Sequence, residues 1–176
     1  IIDCSLNSMN GGSIRFFITP KESKLESNNL NIKKIVKLEN LFFKNLNLNL
    51  LKFSNKITKN KIKLLSIFKN LKNNHKKIHV YGASTKGNIL LQYFKIDNNI
   101  VDYASDRNKF KWTRKTPGTN IPIISENKSR KLNPDYYFVL PWHFKKEFIA
   151  REKKFLNSGG KFIFPLPNVS ILKNKI

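Results

Sequence analysis

The sequence predicts an α/β fold: a small, mostly parallel sheet with flanking helices, preceded by a strand and an amphipathic helical segment. Three observations point there. From residue 77 onward, short apolar runs alternate with segments of helical spacing, the rhythm of strand–helix–strand units. Those runs are apolar along their whole length, as in parallel strands covered on both faces. Hydrophobic residues make up 40% of the 176 residues and aromatics 12%, enough for a packed core and against global disorder.

In chain order, residues 12–19 read as a strand rich in β-branched and aromatic side chains, ended by Pro20. Residues 21–31 are polar and read as a loop. Ile32, Ile35, Val36, Glu39 and Phe43 sit at helical spacing. Leu50, Leu51, Ile57, Leu64, Leu65, Phe68 and Leu71 predict a long amphipathic helix over 48–72, with lysines on its outer face. Its aromatics read as packing. Ile78 to Tyr81 is a strand, Gly82 to Gly87 a loop, and Asn88 to Phe94 a helix. Ile100 to Ala104 predicts a second strand of this part and Ile121 to Ile124 a third. Ser125 caps a brief helix that includes Lys128. Tyr136 to Leu140 is a strand, and Phe144 to Leu156 a helix stopped by Ser158-Gly159-Gly160. Lys161 to Phe164 is a last strand before Pro165. Such a unit of about 100 residues is Rossmann-like.

Charge is the loudest compositional signal: 34 basic residues against 11 acidic give +23. It invites a nucleic-acid reading. Yet 29 of the basic residues are Lys and 5 are Arg, while Asn reaches 24 and Ile 20. All three abundant types have AT-rich codons, so compositional drift explains the charge, and groove readers favour the planar fork of Arg. The two readings meet on one stretch: between Glu39 and Asp97 there are twelve Lys and no acid. Cys4 is the single cysteine, which excludes a disulfide framework and a multi-cysteine zinc site. No apolar run of about 18 residues occurs, so no membrane span is expected. The chain begins Ile1-Ile2-Asp3, without Met or a signal-peptide pattern. We read it as a fragment, or the C-terminal part of a longer protein, with the cytoplasm as default location.

In a parallel sheet, ligands sit beyond the carboxyl ends of the strands, near the point where the strand order reverses. Three loops qualify. Gly82-Ala83-Ser84-Thr85-Lys86-Gly87 offers a tight turn, two hydroxyls, a positive charge and a following helix N-terminus that can hold a phosphate. It is neither a Walker A loop nor GxGxxG, and a plain strand–helix turn is the alternative. Asp106 lies 19 residues past Gly87, where a carboxylate can hold ribose hydroxyls; a solvated turn aspartate capping Asn108 is the alternative. In Leu140-Pro141-Trp142-His143, Trp142 can stack on a base or sugar and His143 can bond a hydroxyl or phosphate; otherwise Trp142 packs and His143 caps the next helix. Tyr81 and Tyr103 read as packing residues, and His75 and His79 lack metal-like spacing.

Taken together, several blocks resemble a known family. They are Val80-Tyr-Gly-Ala-Ser-Thr-Lys-Gly-Asn88 with Leu90-Leu91-Gln92, Asp102-Tyr103-Ala104, Asp106-Arg107-Asn108, Thr116-Pro117-Gly118-Thr119 with Ile121-Pro122-Ile123, Pro134-Asp135-Tyr136-Tyr137, Leu140-Pro141-Trp142-His143-Phe144, and Gly159-Gly160 through Pro165. In this order they resemble the C-terminal domain of nucleotide-sugar C-methyltransferases. Asn10-Gly11-Gly12-Ser13-Ile14-Arg15 is similar to the stretch closing the family's methyltransferase domain. The resemblance implies three regions: 1–20 as the terminal strand region of a truncated methyltransferase domain, 21–76 as a helical connector, and 77–176 as the Rossmann-like C-terminal domain.

Full-length members of that family methylate a carbon of a nucleotide-linked keto sugar, with S-adenosylmethionine as donor. The resemblance implies that this domain helps hold the nucleotide-diphospho-sugar. Gly82, Ser84, Thr85, Lys86, Gly87 and Asn88 are then expected at phosphate or sugar, Asp106 at a ribose or sugar hydroxyl, and Trp142 and His143 beside them. The family's S-adenosylmethionine loop, catalytic Tyr/His segment and zinc cysteines have no counterpart here. The fragment is therefore expected to bind no cofactor alone, to carry no catalytic residue or metal, and to need a methyltransferase domain as partner. Two other readings stay open: a stand-alone nucleotide-sugar-binding or scaffold module serving a separate methyltransferase, and a lysine-rich nucleic-acid binder.

Overall fold

A computed structural model describes residues 1–173. The chain divides into two compact units, residues 1–56 and 57–176.

In the first unit, β1 (Asp3–Asn7) and β2 (Ser13–Phe17) form an antiparallel hairpin in which Cys4 faces Phe16 and Leu6 faces Ile14. Only β2 was expected from sequence. The turn between the strands passes Asn10 at φ 53° and Gly11 at φ 89°, a left-handed path that Asn and Gly tolerate best. Helix α1 (Asn29–Lys44) follows, and then α2 (Leu46–Asn73), whose first part belongs to this unit. Both helices match the predicted spacing. No residue of α1 is buried.

The second unit is a six-stranded sheet in the order β5-β4-β3-β6-β7-β8. Its strands are β3 (Ile78–Tyr81), β4 (Tyr103–Asp106), β5 (Ile123–Ser125), β6 (Tyr136–Val139), β7 (Lys161–Phe164) and β8 (Ser170–Leu172). The first five strands in that order run parallel, and β8 is antiparallel at the edge. This is the expected mostly parallel α/β sheet. The antiparallel β8 was not expected; three residues beyond two prolines carry little strand signal.

Successive side chains alternate between two apolar layers. Ile78, Val80, Phe138 and Ile163 face one layer, with Leu64, Phe68 and Leu71 of α2 and Leu91 and Phe94 of α3 (Thr85–Phe94). Tyr81, Tyr137, Val139 and Phe162 face the other, with Phe148 of α5 (Lys145–Arg151) and Leu156 of α6 (Lys153–Asn157). The short α4 (Glu126–Lys131) sends buried Ser129 to the same side, where its hydroxyl meets His79 Nδ1 at 2.8 Å and the Tyr137 hydroxyl at 3.0 Å.

Several boundaries differ from the expected ones, and three have a physical cause on view. The strand expected over 100–104 lies at Tyr103–Asp106. Ile100 and Val101 instead close a turn, donating their amides to Asp97 O, while polar Ser105 enters the sheet because its hydroxyl donates to Val80 O at 3.1 Å. The helix expected from Asn88 begins at Thr85 with Ser84 as N-cap. The single helix expected over 144–156 is broken at Glu152, whose backbone leaves helical geometry (φ −103°, ψ 28°). Its carboxylate is buried, accepts from Tyr81 Oη at 2.8 Å and pairs with Arg130.

Candidate functional site

The strand order fixes where a ligand can reach the backbone. From β3 the chain moves outward through β4 to β5, then returns to lay β6 on the other side of β3. The order reverses between β3 and β6, and in open parallel sheets the binding crevice opens there, beyond the carboxyl ends. The loop after β3 is the glycine loop, and the loop after β6 is Leu140-Pro141-Trp142-His143. Topology thus brings together two of the three loops singled out in the sequence, and Asp106 ends the adjacent strand β4.

The two loops interlock. A Cβ on Gly82 would lie 2.7 Å from Pro141 Cγ, and one on Gly87 2.6 Å from Leu140 Cβ. Gly82 also holds φ at 85°, which side chains disfavour. Both glycines are therefore required for close packing of the second loop on the first. Above them α3 starts. Ser84 Oγ accepts from the Gly87 amide at 3.1 Å, a regular N-cap bond. Thr85, Lys86, Gly87 and Asn88 lie on the first turn of the helix rather than in an open loop. The backbone amide of Thr85 takes no partner among the described residues, and its side chain is exposed.

Asp106 is held from several sides. Oδ2 accepts from the Ala83 amide at 3.1 Å and from Lys111 Nζ at 2.8 Å, and Oδ1 accepts from the Asn108 amide at 2.8 Å. The bond to Asn108 is the turn bond expected of an aspartate there, but the side chain is only 13% exposed. Lys111 also donates to Ala83 O at 2.9 Å, and Trp112 Nε1 to Asp106 O at 2.8 Å. Asp106 thus ties the glycine loop to residues 111–112. Sequence reasoning missed Lys111 and Trp112; neither lies in a recognisable motif, and their roles follow from the path of the chain after β4.

Trp142 and His143 sit on a single 3-10 turn, Trp142–Phe144. Trp142 is half-buried against the Tyr81–Phe162 layer. His143 makes no capping bond to α5. Burial lowers its pKa; the positive charge of Lys86 lowers it further, and Glu147 opposes. That coupling places Lys86 and His143 in one electrostatic environment, although they are far apart in sequence. Two buried polar atoms, Asn88 Oδ1 and His143 Nδ1, have no hydrogen-bond partner among the described residues. Unsatisfied buried polar atoms are rare and call for an explanation. Here both belong to the two loops of the crevice.

Among the described residues, no group of His, Cys, Asp and Glu could hold a metal ion, and no helix is long and apolar enough to cross a membrane.

The family model of the C-methyltransferase C-terminal domain matches residues 8–167. The C-methyltransferase NovU of Streptomyces niveus is 38% identical over 92 residues, a stretch that covers 52% of this chain and 22% of that relative. A match over residues 8–167, on a sheet whose switch-point loops carry the motif residues, shows that the chain belongs to the C-methyltransferase C-terminal domain family.

Proposed function

We propose that the chain is the substrate-binding portion of a C-methyltransferase acting on a nucleotide-linked keto sugar. The observation that carries this reading is the convergence, at the switch point, of the Ser84–Asn88 turn and the Trp142–His143 turn, with Asn88 Oδ1 and His143 Nδ1 unpartnered between protein groups. A sugar diphosphate offers anionic oxygens to the Thr85 amide and to the positive charge of Lys86, and hydroxyls that can donate to Asn88 and His143. Trp142 offers a ring edge for the sugar or base. Asp106, already holding three donors, acts chiefly by fixing the glycine loop and by contributing negative charge near a hydroxyl.

Methylating carbon requires removal of a proton beside the ketone and a positioned methyl donor. S-adenosylmethionine is the donor implied for full-length family members. In this reading the donor is held outside the glycine loop, a view supported by the packing of Pro141 on Gly82 and of Leu140 on Gly87 and by the engagement of the Asp106 carboxylate within the protein. We therefore assign no step of methyl transfer to this chain.

The proposed partner is the methyltransferase half. The hairpin β1–β2 leaves Leu6, Phe16, Phe17 and Ile18 exposed, and α1 leaves Leu41, Phe42 and Phe43 exposed. An isolated two-stranded hairpin is marginal in water, and such apolar surface marks an interface.

Calorimetry with a pyrimidine nucleoside-diphosphate sugar tests the reading. Binding to the native chain is expected, weakened about tenfold in Lys86→Ala, the loss of one charge-assisted contact of about 1.5 kcal/mol. No heat with the native chain, or equal affinity in the variant, would contradict it.

A further inference from the structure

The second apolar layer, built on Tyr81, Tyr137 and Phe162, also holds a buried charge. Glu152 stands at the junction of α5 and α6 and is 3% exposed. Its carboxylate accepts from Tyr81 Oη at 2.8 Å and from Arg130 Nε at 3.1 Å, and Arg130 Nη2 closes the ion pair. Arg130 in turn donates to Glu126 Oε2 and to Asn127 Oδ1, each at 3.0 Å. Three elements, β3, α4 and the α5–α6 junction, therefore meet on one carboxylate.

Stability alone does not account for this choice. A buried carboxylate is costly unless it is well paired, and apolar side chains of similar volume often serve a core as well. What the charge adds is direction, because the planar fork of Arg accepts a carboxylate in few geometries. Two of the five arginines of the chain belong to the cluster. The second, Arg151, lies over the Phe148 ring at 4.9 Å and reaches Glu126 at 3.9 Å.

The place of the cluster gives that direction a use. Tyr81 ends β3, and Gly82 of the glycine loop follows it. The Tyr81 carbonyl accepts the Leu140 amide at 3.2 Å, so its backbone already joins the two loops of the crevice. Glu152 closes α5, whose other end is the Trp142–Phe144 turn. Ring contacts lead from Tyr81 back to that turn: 5.0 Å to Phe148, 6.1 Å from Phe148 to Phe144, and 4.4 Å from Phe144 to His143. Close-packed interiors transmit small shifts along such contiguous paths.

We propose that Glu152 is a positioning residue for the switch-point crevice: the carboxylate shared by Tyr81 and Arg130 fixes α5 on β3 and so sets the Trp142–His143 turn beside the glycine loop. What the crevice binds rests on the function proposed above; the placement of His143 does not.

Titration of the His143 imidazole by proton NMR, in the whole chain, tests this role. Tyr81→Phe deletes one hydroxyl and keeps the ring. Glu152→Gln keeps the size of the side chain and removes its charge. Burial and the charge of Lys86 hold the His143 pKa below 6.5, against the charge of Glu147. A loosened turn is expected to let it rise toward 6.5 in both variants. The control is Ile163→Val, which removes one methyl from the other apolar layer; it is expected to lower the urea midpoint and leave His143 unchanged. Both cluster variants are also expected to bind a pyrimidine nucleoside-diphosphate sugar about fivefold more weakly, within the range of coupling through packed side chains. A native-like His143 titration in Tyr81→Phe, an equal shift in Ile163→Val, or native affinity in Tyr81→Phe would overturn the proposal. Should Glu152→Gln fail to fold, Tyr81→Phe decides alone. Should the native chain bind no sugar nucleotide, the function proposed above fails, and the His143 titration still decides the role of Glu152.

Discussion

His79 shows how one buried side chain sets a pH response. It lies in the second apolar layer, bonded through Nδ1 to Ser129. Burial lowers its pKa from 6.5 to about 4, opposed by the charge of Asp102 and assisted by that of Lys77. The fold holds the neutral ring, so the unfolded chain takes up its proton first as pH falls below 6.5. Stability from this residue is complete above that pH and is lost down to about 4, a total of about 3 kcal/mol. Urea midpoints measured from pH 7 to 4 should show a steep acid limb in the native chain and a shallower one in His79→Gln. Gly87 makes a steric prediction. Its missing Cβ is the space Leu140 occupies, so Gly87→Ala should cost about 1–3 kcal/mol through overpacking, read as a lower urea midpoint at unchanged slope. The candidate residues were legible in the sequence because Gly, Ser, Thr and Lys crowd one short loop. Their use was not: that the glycines serve packing as well as turning follows from Leu140 and Pro141, some 55 residues later in the chain.

At the scale of elements, strands made of continuous apolar residues were legible to the residue, as β3 and β7 show. Elements whose boundaries rest on a polar group turned inward were not. β4 ends on Ser105 and Asp106 because Val80 O and the Ala83 amide satisfy them, and α5 ends at Glu152 because Tyr81 and Arg130 receive its carboxylate. Such partners lie 22 to 71 residues away in sequence, beyond any local pattern. The same distinction predicts uneven protection. β3 and β6 are central strands buried on both faces, whereas β2 is exposed along nearly all its length. Hydrogen exchange should find amides of 78–81 and 136–139 opening only with global unfolding, and those of 13–17 exchanging orders of magnitude faster. Equal protection would contradict the view that the hairpin awaits a partner surface.

For the whole molecule, the charge of +23 proves less informative than where particular cations stand. Most lysines cover helices, as in α2, where only Asn60, Leu64, Phe68 and Leu71 are buried. Lys86 is placed differently: it lies on the first turn of α3 at the switch point, and its charge lowers the pKa of His143. The α/β class and the crevice edge were readable from the strand–helix rhythm, while the reversal between β3 and β6 emerges only once the strands are ordered. The central claim is that a nucleotide-linked sugar binds at that reversal. Amide chemical-shift mapping of the chain during titration with a pyrimidine nucleoside-diphosphate sugar tests it most directly. Saturable shifts at residues 84–88 and 142–143 are predicted; no shifts, or shifts confined to other surfaces, would contradict it.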